Sequence, residues 1–179
     1  VWILAKRNSD AMKYKEALEW FHKLKSPTAQ QRLMAAAAEI GPLGELDASD
    51  SSDKTKIETY EKAIKDFPES FDSIVWRNEL AQIWTEKNAK DVNSSLTSPK
   101  DLARQSIQKI DHMLSQKAAM MKAFGNSFQG DFSDFEKAEL LNQKIEALKL
   151  LDDPKTLTAT KAELSKNIHD RTLSTEKTG

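Results

Sequence analysis

No cysteine occurs in the 179 residues, which removes disulfides, thiolate nucleophiles and Cys-ligated zinc or iron-sulfur centres together, and leaves the redox compartment open. Glycine and proline are scarce, at five each, too few for a collagenous, low-complexity or turn-dense all-β chain. No apolar run approaches the roughly 20 residues of a membrane span. The opening Val1-Trp2-Ile3-Leu4-Ala5 lacks both the length and the preceding basic region of a secretory signal. Charge of a single sign is missing too: 27 basic and 28 acidic side chains leave a net charge of −1 and alternate without blocks, so no electrostatic footprint for nucleic acid is present. Only 5 of those basic residues are arginine, which removes most of the planar forks that read phosphate and base edges.

What remains, 31% charged beside 39% hydrophobic residues, suits a folded helical protein. A chain this long buries roughly 70% of its unfolded surface, enough for one domain, expected over residues 1–173, with a disordered tail at 174–179. The first residues look like the inside of a helix, which leads to the expectation that the chain is a fragment of a larger protein.

The stretch 71–84 organises the rest. At about 100° per residue, Phe71, Ile74, Val75 and Ala81 fall on one arc, and Trp76, Leu80, Ile83 and Trp84 on the arc opposite. One apolar stripe makes a surface helix, whereas two require cover on both sides. A central helix is therefore expected over about 69–88, within an all-α fold of six to seven helices arranged as a bundle or short helical array.

Around it, Leu4, Ala11, Tyr14, Leu18 and Phe21 define one face of a first helix reaching about Leu24. Ser26-Pro27, Ser98-Pro99 and Asp153-Pro154 each place a capping residue before a proline and predict helix starts. Gly41-Pro42 predicts a stop near Ile40 and opens an acidic loop to Asp53. Thr55 with Glu58 predicts a capping box for a helix carrying Ile57, Tyr60, Ile64 and Phe67. The longest pattern runs over 99–124, closed by Gly125 as a left-handed cap. Ser133 with Glu136 opens a helix whose face is Ala138, Leu141, Ile145 and Leu148, and a weakly buried helix follows from Pro154 to about Leu173.

An internal echo joins Tyr14-Lys15-Glu16-Ala17 to Tyr60-Glu61-Lys62-Ala63, and Phe135-Glu136-Lys137-Ala138 repeats it. With Pro68 and Leu43-Gly44, the second copy resembles a tetratricopeptide repeat over about 30 residues. Pro42 and the Asp/Ser run occupy what would be that repeat's first helix, and independent amphipathic helices converging on one pattern account for the same residues.

Several constellations touch chemistry. Glu19 and His22 have the spacing of a di-iron half-site, but Lys109 and Lys166 stand three residues before His112 and His169, so no second pair completes it. Asp47, Ser49, Ser51, Asp53, Thr55 and Glu58 match a calcium-loop template, with Ser52 in place of its glycine. Asp72, Glu79 and Glu86 recur every seven residues on the seam between the two arcs, where burial of one carboxyl would enable acid and base work. Each has a plainer reading, respectively a solvated histidine, an acidic loop before a capped helix and a solvated helix edge. No catalytic, metal or cofactor site is expected. Trp20 with Leu24 on the first helix, and Trp84 on the central one, are the candidate partner-binding residues, because tryptophans concentrate in binding hot spots; the core is the competing use of each. Met120-Met121 before Phe124 carries the same pair of readings.

The expected role is non-enzymatic: a helical protein-protein interaction or scaffolding domain that binds another protein or a neighbouring domain of the parent chain. The alternatives are a module that meets anionic lipid at a membrane surface through Lys13, Lys23 and Lys25, and a helical accessory domain of an enzyme. The sequence does not fix a compartment; a soluble, cytoplasmic location is the most compatible.

Overall fold

A computed structural model describes the backbone of residues 2–45, 53–86, 98–124 and 134–176. Among these residues there are eight helices and no strand: α1 Trp2–Asp10, α2 Tyr14–Phe21, α3 Ala29–Glu45, α4 Asp53–Asp66, α5 Asp72–Glu86, α6 Pro99–Phe124, α7 Asp134–Leu151 and α8 Pro154–Glu176. The fold is all-α. The chain forms two compact units, Val1–Trp76 and Arg77–Gly179, and the division falls inside α5.

The single first helix expected to reach Leu24 is broken in two, because Met12 turns left-handed at φ 56°. Its N–H bonds to the Ser9 carbonyl at 2.9 Å and the N–H of Lys13 to that of Asn8 at 2.8 Å. That pair of bonds is the Schellman closure, usually built on glycine. Asp152 repeats the device after α7, again at φ 56°, with Asp153 N–H reaching the Leu148 carbonyl.

The start of α3 also moves. Thr28 Oγ1 accepts from Gln31 N–H at 3.2 Å, and Gln31 Oε1 accepts from Thr28 N–H at 2.9 Å. This reciprocal box satisfies two free donors where Ser26 would satisfy one, so the helix opens two residues later than Ser26-Pro27 predicts. Nor does Gly41-Pro42 stop it, since α3 runs on to Glu45. Gly41 serves packing instead: a Cβ there would stand 2.6 Å from Cζ of Tyr14, so only glycine lets the Tyr14 ring lie on α3. Pro42 forfeits one helical bond but keeps a helical φ.

At α6 and α8 the capping signals act where the sequence places them. Ser98 Oγ accepts from Asp101 N–H at 3.3 Å and donates to Asp101 Oδ2 at 2.7 Å, and Asp153 Oδ1 accepts from Thr156 N–H at 3.0 Å. α4 begins at Asp53, two residues before Thr55. α8 reaches Glu176, three residues beyond Leu173 and into the expected tail. The Gly125 and Ser133 caps lie outside the described residues.

In the first unit, α1, α2 and α3 pack mutually and α3 packs on α4. Ala5, Ala17, Phe21 and Ala38 form the centre of one cluster, edged by Tyr14, Leu18, Trp20, Leu24, Met34 and Ala35. Along α5, buried side chains occur on both arcs, Ile74 and Ala81 on one, Trp76, Leu80 and Trp84 on the other, as two-sided cover requires. In the second unit α7 packs on both α6 and α8. Its covered surface, from Gln143 through Leu140, Ala147 and Leu148 to Ile145, spans about 200° at 100° per residue.

Candidate functional site

Between α3 and α4, inside the first unit, lies a groove of about 180 Å³ lined by Arg32, Ala35, Ala36, Glu39, Thr59, Lys62, Ala63, Asp66 and Phe67. Its shape follows from the sequence. Arg32, Ala35, Ala36 and Glu39 are spaced three, one and three apart and share one face of α3; Thr59, Lys62, Ala63 and Asp66 repeat the same spacing on α4. Alanine at the middle of each face leaves the floor unfilled, while the longer charged side chains stand at the rim. Two cations and two carboxylates thus surround an apolar floor.

None of these four charged groups forms an ion pair with another described residue. Arg32 uses one guanidinium nitrogen, Nη1, to donate to the Pro27 carbonyl at 3.2 Å, which anchors the side chain at the start of α3 with its remaining donors available. The arrangement has the elements of a recognition surface, in which desolvated apolar contacts are rimmed by charges that select and orient a partner. Periodicity along one helix does not mark this groove; the alanines at positions 35–38, which permit close helix approach, are the signal the sequence carries.

The candidates named from sequence are divided between the two units. Trp20 is half-buried against the α1–α3 cluster, and Lys23 Nζ stands 4.1 Å from the centroid of its ring, a cation-π contact worth about 0.5–1 kcal/mol at an exposed position. Leu24 packs on the same cluster. Trp84 is 6% exposed, and its indole Nε1 has no hydrogen-bond partner among the described residues; in this conformation it presents no surface. The structure brings Trp20 and Leu24 together in the first unit, and Trp84 belongs to the second.

Of the carboxylate seam, Asp72 has its pKa raised, chiefly by desolvation and partly opposed by a hydrogen bond to its own backbone. Glu79 is half-buried with a partner of its own. His22 and Glu19 are both exposed, and no group of three or more metal-ligating side chains is assembled among the described residues. Residues 47–52 of the calcium template lie outside the described residues, and its last positions, Asp53, Thr55 and Glu58, are already in α4. The side chains of Met120 and Met121 also lie outside the described set.

One buried polar chain was not expected. Asn78, 2% exposed, donates from Nδ2 to the Gln143 carbonyl at 2.9 Å and to its Oε1 at 3.0 Å, tying α5 to α7. Gln143 Nε2 in turn lies 3.5 Å from Glu139 Oε1.

Among the described residues no helix is long and apolar enough to cross a membrane. Comparison with protein-family models, with characterised proteins and with solved structures finds no match.

Proposed function

We propose that this chain is a non-enzymatic helical interaction module that binds protein through the α3–α4 groove. The observation that supports this reading is the rim of four charges, Arg32, Glu39, Lys62 and Asp66, around an alanine floor without internal ion pairs among the described residues. No ion pair among the described residues competes for these side chains, so an arriving surface can engage them, which favours orientation and selectivity over raw affinity. Trp20 and Leu24 pack at the edge of the α1–α3 cluster and do not line the groove.

The test is capture on immobilised protein. Ala36→Trp fills the groove floor without adding charge, and Trp20→Ala serves as a comparison. A protein retained by the wild type and by Trp20→Ala, but lost by an Ala36→Trp variant whose melting temperature is unchanged, supports the groove. Equal retention by the wild type and a folded Ala36→Trp contradicts it.

A further inference from the structure

Resting on the reading of the α3–α4 groove as a binding surface, we propose that its partner is a second copy of this chain, docked about a two-fold axis that passes between Ala35 and Ala36. The argument is one of charge and symmetry. On α3 the rim and floor read Arg32-x-x-Ala35-Ala36-x-x-Glu39, and the midpoint of the charged pair coincides with the midpoint of the alanine pair. An antiparallel copy of this face therefore sets Arg32 against Glu39 of the other chain and Glu39 against its Arg32, while alanines meet alanines at the axis. Closed homodimers use such self-complementary patches, in which residue i meets j and j meets i.

Reach and close approach agree with this. Seven residues of helix separate the two charges by about 10.5 Å along the axis, so both ion pairs form in one docked position. Alanine at the crossing lets the two backbones come to the short end of the usual helix separation, about 8 Å. The rim as a whole is neutral, since Lys62 and Asp66 add one charge of each sign. A groove with net charge would repel its own copy, whereas this one does not. The whole chain carries only −1, so no general self-repulsion opposes association. A strongly acidic or basic partner, by contrast, would meet one unfavourable charge for each favourable one.

Reciprocal charge reversal tests this, read as molar mass by sedimentation over a concentration series. The wild type is expected to dimerise. Arg32→Glu and Glu39→Arg each place like charges opposite one another twice, so each alone should weaken dimerisation by at least about tenfold. Mixed in equal amounts they should recover a heterodimer, since one chain now offers only carboxylates and the other only guanidinium groups at the two positions. Arg32→Glu/Glu39→Arg in one chain restores the palindrome and should dimerise as the wild type does, which keeps the test informative if a single variant folds poorly. Raising the salt concentration should loosen the wild-type dimer and reduce the defect of the single variants. A wild type that stays monomeric, single variants that associate like it, or a mixture that does not recover would overturn the proposal. If the wild type is monomeric yet retains another protein that Ala36→Trp loses, the second copy is wrong and the groove stands; if neither occurs, both fall.

Discussion

Met12 and Asp152 hold the two left-handed backbone positions among the described non-glycine residues, and each closes a helix in the manner glycine normally does. A side chain in that conformation costs about 1–2 kcal/mol. Met12 is 69% exposed and has little packing to lose, so Met12→Gly should stabilise the chain by roughly 1 kcal/mol after the entropy cost of glycine, seen as a higher urea midpoint with unchanged slope. No periodicity argument finds such a position, because the hydrophobic pattern of Leu4, Ala11, Tyr14 and Leu18 runs straight through the break. Asp72 supplies a prediction with a sign. Its folded pKa is raised above 3.8 by desolvation, so the folded state binds the proton more tightly than the unfolded one. Stability is therefore lost as pH rises from the ordinary carboxylate range through the folded value. Asp72→Asn should raise the melting temperature at neutral pH, with the gain vanishing as pH falls below about 4, the ordinary carboxylate value; an equal gain at both pH values would remove burial as the cause.

At the scale of elements, most helices were legible because apolar spacing and proline-linked caps agree. α6 occupies the bounds the pattern gave, and α8 starts at its Asp153-Pro154 signal. Where signals competed, the better-satisfied one won, as Thr28 with Gln31 did over Ser26. Gly41 was misleading because glycine ends helices and also admits close packing, and sequence alone does not say which use applies. Gly41→Ala separates them. In an exposed helix the change gains about 1 kcal/mol, but here the new methyl would meet the Tyr14 ring at an overpacking cost of about 1–3 kcal/mol. Thermal melts should show Gly41→Ala destabilising in the wild type and neutral or stabilising in a Tyr14→Ala background. For α7, the apolar spacing predicts a single face of Ala138, Leu141, Ile145 and Leu148, yet Leu140 and Ala147 are buried as well. The polar Gln143 and Lys144 on that surface hid the second half, because their burial depends on Asn78 and Asp111, residues distant in sequence. Asn78→Leu should cost about 1–3 kcal/mol by stranding the Gln143 amide, and adding Gln143→Leu should recover part of it in the same urea titration.

For the molecule as a whole, composition and pattern sufficed for an all-α chain with a doubly covered α5, while the groove was not legible. A groove depends on which faces of two helices turn toward one another, and single-helix periodicity carries no such information. The palindrome of Arg32 and Glu39 about Ala35 and Ala36 is present in the sequence, but only where α3 packs on α4 do these residues line a groove with Lys62 and Asp66 at its rim. Self-association through that rim has a direct assay, because the chain contains no cysteine. Ala36→Cys introduces a unique thiol beside the proposed axis, where paired residues of two copies fall within the roughly 4.4–6.8 Å Cα separation a disulfide needs. Ser165→Cys, on exposed α8 surface, is the control for random collision. Under mild oxidation at equal concentration, Ala36→Cys is predicted to convert rapidly to a covalent species of twice the 20.2 kDa chain mass while Ser165→Cys stays single; equal, slow cross-linking of the two would contradict self-association through the groove.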